Sequence, residues 1–74
     1  MNAARIALAE LGNRLRAARE ARGWTQAQLA ERIGVSRKTI NTVENRVFVP
    51  STVLALKLAL ALEASVEALF FLAE

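Results

Sequence analysis

The chain has 74 residues, 54% of them hydrophobic, and it contains no Cys, His or Tyr, so the usual general base, the commonest metal ligand and any disulfide framework are missing. A chain this short buries only about 60% of the surface its unfolded form exposes, which predicts one core and one domain over residues 1–74, with no metal, no cofactor and no enzymatic activity. Its net charge of +3 is unevenly placed: residues 1–46 hold nine Lys/Arg against four Glu, whereas residues 47–74 hold Lys57 against Glu63, Glu67 and Glu74. A basic half joined to an apolar, mildly acidic half suggests one end that meets a polyanion and another that meets itself.

Residues 1–12 form an alanine-rich N-terminal extension, and Arg5, Glu10, Arg14 and Arg16 interrupt any apolar run of signal-peptide length. This composition favours helix over strand, with Gly12 as a kink before the next segment. Asn13 is the expected cap of a first helix running to about Arg22, with Leu15, Ala18 and Leu11 on its buried side and Gly23 at its C-terminal end. Thr25 and Gln28 then form a capping box, with Trp24 and Leu29 at the staple positions around it. A second helix therefore starts at Gln26, buries Leu29, Ala30 and Ile33, and is closed by Gly34. The same grammar repeats immediately. Ser36 caps a third helix over 37–44, Val35 staples to Ile40, and Ile40 and Val43 face inward.

Two short helices joined by a Gly-Val-Ser turn make a helix-turn-helix over residues 25–45. The turn is too short for an antiparallel pair, so the helices cross steeply and leave the outer face of the second one open. That face carries Arg37, Lys38, Asn41 and Thr42, side chains suited to base edges and phosphates. An ordinary helical hairpin with a solvated polar face is the alternative; the coincidence of two stapled caps, the glycine and the basic helix argues against it.

In residues 53–62 the leucines at 54, 56, 58, 60 and 62 recur with the period of a strand. The intervening alanines, the Ser51 cap after Pro50 and the length of the run decide for a helix. Ala55, Leu58, Ala59 and Leu62 fill the core, while Val53, Leu56 and Leu60 form a second stripe. Together with Phe70, Phe71 and Leu72 this is more apolar surface than so small a domain can hide, so residues 51–74 are expected to serve both core and homodimer. Ser65 is the expected cap of a short fifth helix over 66–69. The longest apolar run is broken by Lys57 and is far short of the roughly 20 residues that span a bilayer, so no membrane association is expected.

The stretch Thr25-Gln-Ala-Gln-Leu-Ala-Glu-Arg-Ile-Gly-Val-Ser-Arg-Lys-Thr-Ile-Asn-Thr-Val-Glu-Asn45 resembles the Cro/lambda-repressor class of bacterial and phage regulators, the XRE family. The likeness runs on through Pro50-Ser51 and the Leu/Ala helix to Val66-Glu67-Ala68-Leu69-Phe70, and it is greatest to the very small stand-alone regulators of the cytolysin repressor type. The resemblance implies an all-α, five-helix repressor-like domain, cytoplasmic and nucleoid-associated, that binds operator DNA as a homodimer. By the same resemblance Ser36, Arg37 and Lys38 enter the major groove with Thr42 one turn further along, and Arg37 is placed to bridge guanine O6 and N7. Gln26 and Asn45 match backbone-contacting positions, Arg14, Arg16 and Arg46 are candidate phosphate anchors, and Arg19 with Glu44 matches a structural ion pair.

Two departures stand out: Arg46 and Glu63 occupy positions where relatives carry glycine. The small subgroup can also pair its ends as two short strands, here Ile6-Ala7-Leu8-Ala9 with Phe70-Phe71-Leu72, in place of an N-terminal helix. A rival function is a protein-interaction module, such as the antitoxin of a toxin–antitoxin pair, whose apolar surface binds a protein partner and whose DNA binding is secondary. The length leaves no room for a small-molecule effector pocket, and Glu63 with Glu67, straddling Ser65, makes a poor carboxylate pair for catalysis.

Overall fold

Local signals set most of the element boundaries in the computed structural model, which describes residues 3–73. In chain order the elements are α1 (Ala3–Leu8), β1 (Glu10–Asn13), α2 (Leu15–Ala21), α3 (Gln26–Ile33), α4 (Arg37–Glu44), α5 (Thr52–Leu62), α6 (Val66–Leu69) and β2 (Phe70–Ala73). At the start of α3, Thr25 Oγ1 accepts from the Gln28 amide at 3.1 Å and Gln28 Oε1 accepts from the Thr25 amide at 2.8 Å. Ser36, Ser51 and Ser65 cap α4, α5 and α6, each accepting from the amide three residues on at 3.1 Å. Each cap satisfies one of the amides that a helix start leaves without a partner, typically about 1 kcal/mol apiece.

Helix ends are set by left-handed residues. Gly34 closes α3 at φ 73°, a conformation that needs no Cβ. Arg46 (φ 62°) follows the end of α4 and Glu63 (φ 51°) ends α5, so both residues that depart from the family's glycine pattern are left-handed. Each costs about 1 kcal/mol relative to glycine. Glu63 recovers part of this by accepting from Arg22 Nη2 at 2.7 Å, a contact that also ties the end of α5 to the end of α2.

The N-terminal reading needs correction. The first residues do not extend the following helix; they form the separate six-residue α1, after which the chain extends into β1, giving six helices rather than five among the described residues. The strand lies at Glu10–Asn13, not at residues 6–9, and pairs antiparallel with β2, Leu11 opposite Leu72 and Gly12 opposite Phe71. Gly12 is no kink: a Cβ there would sit 2.6 Å from the Phe71 ring, so its missing side chain lets the aromatic ring lie across β1. Asn13 ends β1 and does not itself occupy the cap position of α2, which falls to Arg14. Its side-chain oxygen still accepts from the Leu15 amide at 3.1 Å, and its Nδ2 donates to the Val43 carbonyl at 2.9 Å, tying the sheet to α4.

Leu15, Leu29, Ile40, Val43, Leu58 and Leu69 are the most completely buried side chains, drawn from α2, α3, α4, α5 and α6, so the helix-turn-helix is held against α5 by one continuous core. Leu54, outside the expected set, joins this core, and Ala55 lies partly buried at its edge. Phe70, expected on the association surface, is packed in the protomer's own core at 7% exposure. At the start of β2 the chain turns Phe70 inward, whereas Phe71 and Leu72 after it are exposed. No helix among the described residues is long and apolar enough to cross a membrane.

Candidate nucleic-acid interface

Helices α3 and α4 are locked together by polar side chains as well as by the core. Arg19, reaching from α2, donates from Nε to Glu44 Oε2 at 2.7 Å and from Nη2 to Oε1 at 3.1 Å, with the Glu44 side chain 3% exposed. The guanidinium also donates to the Trp24 carbonyl at 2.8 Å. Its hydrogen bonds to Glu44 hold Arg19 charged more firmly than an ordinary arginine, despite the opposing effect of burial. This bidentate geometry is the strong form of the arginine–carboxylate contact.

Gln26, at the first position of α3, extends the network. Its Nε2 donates to Glu44 Oε1 at 3.1 Å and to Asn41 Oδ1 at 3.2 Å. Asn45 Nδ2 in turn donates to the Asn41 carbonyl at 2.9 Å and to Asn41 Oδ1 at 3.1 Å. The structure thus brings Arg19, Gln26, Asn41, Glu44 and Asn45 into one connected set. Asn41, expected to read bases, has its amide oxygen committed to Gln26 and Asn45. Gln26 and Asn45, expected to touch the DNA backbone, both spend amide protons inside the protein.

The N-terminal turn of α4 differs. The side chains of Arg37 and Lys38 are exposed and have no hydrogen bond or ion pair among the described residues. Ser36 Oγ caps the helix and lies 2.9 Å from Thr39 Oγ1. Thr42 Oγ1 donates back to the Lys38 and Thr39 carbonyls at 3.0 and 3.1 Å, which uses its proton and leaves its oxygen as an acceptor.

The three candidate phosphate anchors already have protein contacts. Arg16 Nε donates to Glu20 Oε1 at 2.7 Å, which holds the Glu20 carboxyl below the usual carboxylate range. Arg14 lies over the Phe71 ring at 4.3 Å, a cation–π contact that joins α2 to β2. Arg46 approaches Glu10 at 3.9 Å with both side chains exposed, a pair weak enough to be exchanged for a phosphate. Sequence reasoning passed over residues 47–49, a run of three exposed apolar side chains beside α4. The one signal for it was its composition, Val-Phe-Val in a turn where polar residues are usual.

Residues 15–69 match the helix-turn-helix family HTH_3. The chain is 37% identical over 62 residues to the HTH-type transcriptional regulator YgzD of Bacillus subtilis, covering 84% of this chain and 94% of that one. Over 36 residues it is 42% identical to the antitoxin HipB of Escherichia coli K12, a match that covers 49% of this chain and 41% of HipB. Among solved structures, the restriction-modification controller protein C.AhdI of Aeromonas hydrophila superposes with a TM-score of 0.71 at 38% identity, covering 74% of this chain and 83% of that one. With the capped helix pair and the basic start of α4 on the same stretch, the chain belongs to the HTH_3 family of XRE-type helix-turn-helix regulators, non-enzymatic proteins that control transcription by binding DNA.

Proposed function

We propose that this protein is a repressor that binds a pseudo-palindromic operator as a twofold homodimer, with Arg37 and Lys38 reading base edges from the N-terminal turn of α4. The observation that carries this reading is the contrast along α4: the two cations at its start are exposed and unpaired, while the polar groups at its end are tied to α2 and α3. Arg37 bridges guanine O6 and N7, Lys38 takes a base or a phosphate, and the Ser36 and Thr42 oxygens accept from nearby donors. Arg14, Arg16, Arg46, Gln26 and Asn45 border the backbone and position the helix without carrying sequence information.

The dimer uses the apolar stripe that the fold leaves uncovered. Val53 is 63% exposed, Leu56 51% and Leu60 80% on α5, with Phe71 and Leu72 of β2 also exposed. An isologous contact of this surface sets two α4 helices in successive major grooves, about 34 Å apart. The β1–β2 pairing supports placing the chain with the small stand-alone regulators of the cytolysin-repressor subgroup, whose ends can pair as two strands.

Selection from a random duplex library at about 0.15 M salt tests the reading, because non-specific binding is weak there. The expected product is an inverted repeat with half-sites about one helical turn apart. Recovery of unrelated sequences contradicts it, and a monomer by sedimentation at micromolar concentration contradicts the dimer. The likeness to HipB over half the chain favours one second reading, in which the α5 stripe binds a different protein; a monomer that joins a partner encoded by an adjacent gene would establish it.

A further inference from the structure

Val47, Phe48 and Val49, in the connection between α4 and α5, are 77%, 48% and 68% exposed. Three successive apolar side chains in water are costly and need a cover. The turn that presents them is fixed. The Thr42 carbonyl accepts from both the Val47 amide at 2.9 Å and the Phe48 amide at 3.1 Å, and the Arg46 amide donates to the Val43 carbonyl at 3.1 Å. With Arg46 held left-handed, the backbone folds back along α4 and sets Val47 and Phe48 beside its outer face.

The result is an open cleft of about 340 Å³ lined by Ser36, Lys38, Thr39, Thr42, Val47 and Phe48. One side is the polar start of α4, next to Arg37. The other side is an apolar wall. Phosphates are held by amides, hydroxyls and cations, none of which Val47 and Phe48 supply from their side chains. The major groove displays a single apolar group, the C5-methyl of thymine, beside the O4 acceptor. A cation and hydroxyls on one side of a cleft with an aromatic ring on the other match that pairing of methyl and acceptor.

We propose that Phe48, supported by Val47, forms a thymine-reading site contiguous with the recognition helix: the ring packs on the C5-methyl while Lys38 addresses the adjoining O4. This rests on the operator reading above and adds one thymine to each half-site. The wall also covers its own exposed surface in the complex, so the same contact that specifies the base removes apolar area from water.

The test replaces each operator thymine in turn by deoxyuridine, which deletes only the methyl group, and measures affinity for the unmodified protein, Phe48→Ala and Val47→Ala. One position per half-site should weaken the unmodified protein about fourfold, the value of one buried methyl. Phe48→Ala, which removes the contact from both protomers, should bind the unmodified operator about sixteenfold more weakly and lose its sensitivity to that one replacement. A uridine profile that is flat for the unmodified protein, or unchanged in Phe48→Ala, overturns the proposal while leaving the operator reading intact. If selection yields no operator, both fall. Should Phe48→Ala fail to fold, the profiles of the unmodified protein and Val47→Ala decide, the latter with a reduced response at the same thymine.

Discussion

The two ends of α4 put their polar side chains to different work. At its C-terminal end Asn41, Glu44 and Asn45 are bound to Gln26 and Arg19, so their polar atoms hold α2, α3 and α4 in one geometry. At its N-terminal end Arg37 and Lys38 carry charge into solvent with no partner among the described residues. A long cation held only by its backbone can reach a base, but only if the helix beneath it is fixed. The difference teaches that polarity on a recognition helix is not a sufficient sign of readout: a group already satisfied inside the protein has little left to offer DNA.

The largest expected effect comes from breaking the fixed end. Glu44→Ala leaves the Arg19 guanidinium charged and nearly buried without its carboxylate, a change that typically costs about 3–5 kcal/mol. A chain of this size has about 4–11 kcal/mol of stability in total, so urea denaturation should show a domain close to unfolding. A loss below about 1 kcal/mol would mean the pair behaves as a surface contact. Gln26→Ala removes the bridge between α3 and α4 and should cost about 1 kcal/mol in the same assay. It should also weaken binding to every DNA sequence by a similar factor, since positioning and not readout is lost.

A smaller effect sharpens the comparison on α2. Arg16 is tied to Glu20, and this hydrogen bond lowers the Glu20 pKa. A carboxyl depressed in the folded state adds stability above its unfolded pKa and loses it as pH falls through the lower folded value. Titration followed by NMR should place Glu20 below the usual carboxylate range, and Arg16→Ala should return it there. If operator DNA draws Arg16 away to a phosphate, Glu20 should rise in the complex as well.

How far the sequence carries is set by the range of the interactions involved. The starts of α3, α4, α5 and α6 follow from Thr25, Ser36, Ser51 and Ser65, because a cap is decided within three residues. The sequence marks Arg46 and Glu63 only as departures from the family's glycine; that both are left-handed is a finding of the structure. Of the two terminal strands, the one at Phe70–Ala73 lies where the sequence puts it, and only its partner is displaced, from residues 6–9 to Glu10–Asn13. Glu10–Asn13 shows little alternation, and its pairing depends on Phe71 lying over Gly12 from the far end of the chain. Leu54 was missed for a related reason: α5 is apolar on every side, so periodicity cannot choose its buried face.

At the site, the Arg19–Glu44 pairing was anticipated by resemblance, whereas the capture of Asn41 by Gln26 joins residues 15 apart and leaves no local signature. The apolar turn at Val47 and Phe48 was visible only as composition; its place beside Lys38 and Thr42 required the fold.

The most direct test of the division along α4 is the affinity of the unmodified protein and Arg37→Ala for every single-base-pair variant of the selected operator. If Arg37 reads a base, the substitution should cost about 1–3 kcal/mol on the operator and abolish discrimination at one position of each half-site, leaving the other positions unchanged. A uniform loss across all variants, with the salt dependence reduced by about one phosphate contact, would make Arg37 a backbone anchor and contradict the account.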